Sequence, residues 1–361
     1  MKLKKIIQIQ ISIFFLFSWC IALDFLPIDG QSLNHTQIFF RWPQIVDSDS
    51  YEITIYHNMD SSTYISQNNS IILDNFSWGE EYFWEACGVD ESNNSIDCYA
   101  QHNFNINVLP FNYPGDVNVI TYNESLSTPG ITILDYESLN FSAALNINGQ
   151  PIWFADRTNF PSNRITVTEF STNGNFIGYG IFGYEFNLDS DIVFQTSHSV
   201  HHSIVKSNNE TYFSIGGNAE NYPCPEPQSC GVGDMIWKGD TFKEVDSQGE
   251  ILWEWNTFDY LSLEEYNSQW INSPSLNEID WTHSNSVFFD EGSNIVYVSM
   301  RNLSRITAID YTTKEIIWNL GDSNFMDEVF FTEDFGFSHQ HSAQITEEGN
   351  LLFFDNGRGN N

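Results

Sequence analysis

Basic residues are scarce in this chain of 361 residues: 13 Lys and Arg stand against 48 Asp and Glu, a formal net charge of −35. So acidic a surface repels phosphate backbones, which argues against nucleic acid as a partner. Long apolar runs are also missing. The stretch from Ile6 to Phe17 is short and broken by Gln8, Gln10 and Ser12, which disfavours a membrane span. No long segment places apolar residues at helical spacing, so a helical bundle is disfavoured too. Cysteines number five, and neither close pair among them has the two-residue gap of a zinc knuckle, so no metal site is expected.

Aromatics, by contrast, reach 16% and hydrophobic residues 41%, enough for a sizeable core and too many for a disordered acidic chain. Strand formers punctuated by Gly, Asn and Asp dominate, and an all-β chain is expected. Residues 1–22 read as a secretory signal: Lys2, Lys4 and Lys5 open it, the apolar stretch follows, and Cys20-Ile21-Ala22 offers a cleavage site. Trp19 fits poorly with lipid attachment at Cys20. Export leaves four cysteines, expected as the disulfides Cys87–Cys98 and Cys224–Cys230. The location expected is therefore secreted or extracytoplasmic, in the periplasm or at the cell surface. Sequons at Asn34, Asn75, Asn123, Asn209 and Asn302 fit export but arise easily in an Asn-rich chain.

Residues 23–108 carry short alternating strands at Phe39–Gln44, Tyr51–Tyr56, Ser70–Phe76 and Tyr82–Asp90, the pattern of a small sandwich. An early Trp, a YEI strand and the YFWEACGVD strand resemble a fibronectin type III domain, a spacer or adhesive module with no catalytic group. Residues 109–123, with Pro110, Pro114 and Gly115, serve as linker. From residue 124 to 361 a repeat emerges. ALNINGQPIW (Ala144–Trp153), EVDSQGEILW (Glu244–Trp253) and AIDYTTKEIIW (Ala308–Trp318) each read as strand, polar turn and strand closing on Trp, with TEFSTNGNFIG (Thr168–Gly178) a degraded copy. Such units suit the blades of a β-propeller. Gly216–Asp234, with three prolines and two cysteines, reads as a pinned loop overhanging the mouth.

Three histidine clusters lie beside strand-like runs: His201–Ser203 before Tyr212–Ile215, Asp280–Ser286 before Ile295–Ser299, and Ser338–Gln344 before Leu351–Phe354. Three neighbouring repeats would each deliver a histidine to one shared site. Arg301 follows His283 by 18 residues (301−283), the return path of one hairpin. Asn285 shares a strand face with His283 if the segment is extended. His, Asn and Arg on one wall make a site for a tetrahedral oxyanion such as sulfate.

HHS at His201–Ser203, DWTHSNS with Arg301 in SMRN, and QHSAQITEEGNLLFFDNG from Gln340 to Gly357 resemble the arylsulfate sulfotransferase family over roughly Val117–Asn361. The resemblance implies an exported six-bladed propeller that moves a sulfuryl group from a phenolic ester to another phenol. It implies no nucleotide donor, no cofactor, and small-molecule partners, an aryl sulfate donor and a phenol acceptor. A histidine nucleophile becomes a sulfohistidine, and this role falls on His341. His283, Asn285 and Arg301 would hold the sulfuryl oxygens. His202 would shuttle a proton or contact sulfate, with His201 and Tyr222 as substrate contacts. Ser203 stands where the family commonly has an acid, which leaves open whether His201 or His202 faces the channel. About four blade signatures are counted where the family has six, and the chain ends 20 residues after His341 (361−341), so the propeller is expected to be incomplete at its C-terminal end. A non-catalytic binding or adhesion propeller, or a quinoprotein-like enzyme, would share the scaffold.

Overall fold

The computed structural model describes residues 25–92, 94–115, 117–128, 130–230, 233–271, 277–321 and 337–357. The expected signal at 1–22 lies outside them. The described chain is nearly all β, as its composition indicates, with strands joined by turns and a few one-turn helices. It divides into two compact units.

In the first unit, Ser50–His57 lies between Asp60–Ser66 and Glu81–Val89, with His102–Ile106 beyond the latter, and Ile38–Arg41 pairs with Ser70–Leu73 in a second, two-stranded sheet. Side chains alternate buried and exposed along Glu81–Val89, so Tyr82, Trp84 and Ala86 face inward beside Phe40, Trp42 and Phe104. Phe40 and Trp84 meet edge to face at 5.3 Å, an arrangement favoured by the ring quadrupoles. The Cys87–Cys98 disulfide joins directly paired strand residues, as expected from the sequence.

The second unit is a succession of antiparallel sheets. Three strands (Thr132–Tyr136, Phe141–Leu145, Pro151–Phe154) come first. Three four-stranded meanders follow, spanning 166–199, 204–256 and 284–321, and then the pair His341–Ile345 and Leu351–Phe354. Four core clusters lie between consecutive sheets: Trp153 with Phe176, Val200 with Val245, Trp237 with Met300, and Leu320 with Ala343. Sheets that pack face to face in series are the architecture of propeller blades.

The tryptophan repeats explain the register. Ala144 pairs with Trp153, Glu244 with Trp253, and Ala308 with Trp318, and the ladder shifts at the next residue in all three. The polar turn is held locally. Asp246 Oδ1 accepts from the N–H groups of Gln248 and Glu250, and Asn146 Oδ1 does the same for Asn148 and Gln150. The indole then reaches across to the neighbouring sheet. Trp153 Nε1 donates to Leu188 O and Trp253 Nε1 to Tyr311 O, each at 2.8 Å. Trp253 is only 4% exposed and stacks on Tyr311. Trp253→Ala is expected to cost about 3–5 kcal/mol, and Trp253→Phe clearly less. Denaturant unfolding should show this as a shift in midpoint at constant slope; equal losses would mean that the ring packing contributes nothing.

The segment 216–234 differs from expectation. Tyr212–Pro223 and Asp234–Val245 pair residue by residue over their whole length, so its first half, from Gly216 to Pro223, is strand. The tip carries the expected Cys224–Cys230 disulfide and a one-turn helix at Pro227–Cys230. Polar residues and prolines masked the first strand. The second shows why it forms: Met235 and Trp237 are buried while Ile236 is exposed, the alternation of a strand packed on one face. Glu278–Asp280 adds to this hairpin in parallel and delivers the chain to His283.

Candidate active site

Each histidine cluster leads into the first strand of its sheet, Ile204–Lys206, Ser284–Asp290 and His341–Ile345, with His341 itself opening the last. The backbone turns left-handed just there, with φ of 60° at His202, 45° at His283 and 56° at His339. Such values are uncommon for residues with a side chain and persist where the surroundings enforce them. His283 therefore lies outside the strand, and the ladder shifts again between Ser284 and Ser286. The expectation that His283 and Asn285 share a strand face fails, because the segment is not extended at His283.

The sheets bring the imidazoles together. The rings of His202 and His283 are 4.9 Å apart. His201 Nδ1 is 2.9 Å from His202 Nδ1, and His201 Nε2 is 3.1 Å from Asp240 Oδ1. His283 Nδ1 is 2.6 Å from Asp280 Oδ2. A cavity of about 490 Å³ is lined by His201, His202, Asp240, Asp280 and His283, with Lys238 at its edge. His202 also lines a second cavity of about 330 Å³, beside Asn285 and Ser342. Among the described residues no group of three or more His, Cys, Asp and Glu could hold a metal ion.

Asp240 is buried, which alone would raise its pKa. The bond to His201 and that residue's charge, with donors from Thr282 Oγ1 (2.6 Å) and the Ser284 N–H (2.7 Å), outweigh burial and hold the carboxyl below its usual range. Burial pushes His202 down to about 4, reinforced by the charges of His201, His283 and His341. His202 is therefore a neutral imidazole near neutral pH.

Arg301 comes directly after the next strand, Ile295–Met300, and opens the one-turn helix Arg301–Leu303, its N–H donating to His283 O. Its Nη1 donates to Asn302 Oδ1 at 2.7 Å, and Asn302 Nδ2 donates to Asp280 O at 2.6 Å. The guanidinium also lies 4.5 Å over the Trp270 ring, a stacking that suits its planar, weakly hydrated cation. The sequons at Asn34 and Asn302 are thus not surface acceptors, being 2% and 1% exposed.

His341 Nδ1 is 3.0 Å from His339 O. Asn356 Nδ2 lies 3.1 Å from the same nitrogen. The backbone carbonyl only accepts and calls for the hydrogen on Nδ1, with the lone pair on Nε2, an arrangement in which the Asn356 amide turns its oxygen to Nδ1. Burial lowers the His341 pKa, and the charges of Arg301 and His283 lower it further, against the opposing bond to His339. The preceding residue anchors the segment. Gln340 is fully buried, and its Nε2 reaches Ser299 Oγ, Met300 O and Arg305 O, while its own carbonyl accepts from Asn285 Nδ2 at 2.7 Å.

Of the residues expected from sequence, His201, His202, His283, Arg301 and His341 gather around one site. Asn285 gives an amide hydrogen to the chain at Gln340, next to the nucleophile candidate. Tyr222 stands apart. Its ring stacks on Phe258 at 5.7 Å and its hydroxyl donates to Glu220, because that face of the hairpin packs against the one-turn helix Thr257–Tyr260. Sequence reasoning missed Asp240, Trp270, Asp280, Asn302 and Gln340 as members of the site. Only Asp280 could have been found, standing three residues before His283 within DWTHSNS.

No curated protein sequence matches the chain. Two solved structures illustrate the structural matches. BamB from Moraxella catarrhalis is 9% identical, with a TM-score of 0.28 over 62% of this chain and 54% of its own. Kuenenia stuttgartiensis hydrazine synthase is 12% identical, with a TM-score of 0.30 over 78% and 76%. The chain thus spans little more than half the length of the first, and likenesses so slight carry no argument. The family comparison is of another order, since residues 116–361 match the model described as arylsulfotransferase (ASST). With well over half of its length inside that match, the chain belongs to the arylsulfotransferase family.

Proposed function

We propose that this protein, acting outside the cytoplasm, transfers a sulfuryl group from a phenolic sulfate ester to a phenol through a sulfohistidine at His341, without a nucleotide donor. Family membership supports a sulfotransferase. The observation that carries the finer reading is the contact of His341 Nδ1 with the His339 carbonyl, which favours the hydrogen on Nδ1 and leaves Nε2 as the nucleophile. A sulfate ester resists attack because its oxygens are negative. Arg301 and His283, whose charges both bear on His341, would hold those oxygens as charge builds in the transition state. Asn285 would act through Gln340, keeping His341 in place, and His202 would pass the proton between phenol oxygens.

The test offers a chromogenic nitrophenyl sulfate and a phenol, with no nucleotide present. Release of nitrophenol that depends on the phenol, with the phenyl sulfate as product, is the expected result. Binding of either compound without turnover would support a non-catalytic propeller instead.

A further inference from the structure

We infer that Asp240 and His201 form a proton store behind His202, so that the proton exchanged with the phenol oxygens passes along two imidazoles instead of resting on one. The inference rests on the sulfuryl-transfer reading above. Three groups stand in line: Asp240 Oδ1, His201 Nε2 at 3.1 Å, then His201 Nδ1 facing His202 Nδ1 at 2.9 Å. Two nitrogens at that distance share one hydrogen, so exactly one of the pair donates. Asp240 is itself fixed by Thr282 and Ser284, which keeps its second oxygen occupied and its first on His201. His202 then lines the cavity.

The line answers a difficulty in the mechanism. A departing phenoxide needs a proton, yet His202 alone, held near 4, is not a cation near neutral pH. With the store loaded, His201 is the imidazolium beside the Asp240 carboxylate. It donates from Nδ1 to His202, which is neutral and bears its hydrogen on Nε2. As the His341 Nε2 lone pair bonds to sulfur, the S–O bond breaks and its electron pair stays on the phenol oxygen. That oxygen takes the His202 Nε2 hydrogen, and the His201 Nδ1 hydrogen moves to His202 Nδ1. Both imidazoles end neutral. Discharge runs in reverse: the acceptor oxygen bonds to sulfur as its proton passes to His202 Nε2, His202 returns its Nδ1 hydrogen to His201, and the N–S bond breaks with its pair returning to His341. His202 is never charged at either end. Asp240 and His201 are positioning residues in this scheme, acting through His202.

His201→Gln tests it, because the amide can still donate to Asp240 but cannot accept and pass on a proton. Read as single-turnover sulfohistidine formation, before any acceptor is added, release of phenol from unsubstituted phenyl sulfate should fall by about 100-fold, the lower range for general acid catalysis. Release from nitrophenyl sulfate, whose phenoxide leaves unaided, should fall far less in the same half-reaction. An equal fall with both donors, or no fall with either, overturns the inference. The wild-type protein gives a second measure that does not depend on a variant folding. In mixtures of light and heavy water, the phenyl sulfate rate should curve as for two protons in flight, and a straight line overturns the relay. A wild type that transfers from neither donor removes the underlying reading, and the inference with it.

Discussion

Incubated with an aryl sulfate and no acceptor, the protein is expected to carry one sulfuryl group, on His341. His341→Ala should acquire none, and its transfer rate should fall by on the order of 10⁴-fold or more, as when other enzymes lose the attacking group. No neighbour can substitute. His283 has Nδ1 on Asp280, and His202 is tied to His201. The S–N bond is labile in acid, so intact mass must be read near neutral pH, followed by peptide mapping. Folding should survive the change, because the segment is held by Gln340 and not by the imidazole. Normal transfer with alanine at 341, or an adduct mapped to a different side chain, would end the mechanism.

Arg301→Ala is expected to lower transfer by about 10²–10³-fold, the loss seen when one preorganised oxyanion donor is removed. A second effect separates this residue from a merely structural one. Protonated His341 cannot attack, so the acid limb of sulfohistidine formation follows its pKa. In the wild type, burial first, and then the charges of Arg301 and His283, place that limb below the ordinary histidine value. Without the guanidinium the limb should move to higher pH. Lysine at 301 should restore some of the pH effect but little of the rate, since it lacks the planar fork and the stacking surface presented to Trp270. A pH profile that does not move in Arg301→Ala would falsify the placement of this charge beside the nucleophile.

Much of this was legible in the chain. Turn chemistry and the closing Trp marked the hairpins, because Asx-held turns and strand alternation are local properties of a few residues. The histidine clusters were legible for a related reason: each sits at the same point of a repeat, where the chain enters the first strand. What the sequence withheld depends on convergence. Asp240 lies in an unremarkable KGDT run, Gln340 reads as the lead-in to a histidine, and Asn302 reads as a sequon. Each gains its role only when another sheet arrives beside it. The question of His201 against His202 was undecidable from strand alternation, since the left-handed turn at His202 lets both side chains serve one site. The carboxylate missing after the double histidine comes from Asp240, on the third strand after it in the same sheet.

Gln340 carries a consequence for how such a protein can change. Its side chain moors the His341 segment at the inner end of the hairpin, to Ser299, Met300 and Arg305 of the preceding sheet, whereas the turn between the two strands lies at the far end. Insertions or deletions in that turn leave the mooring untouched. The two ends of this hairpin are mechanically decoupled, so its turn is free to diverge, or to accept a grafted loop, while His341 keeps its address.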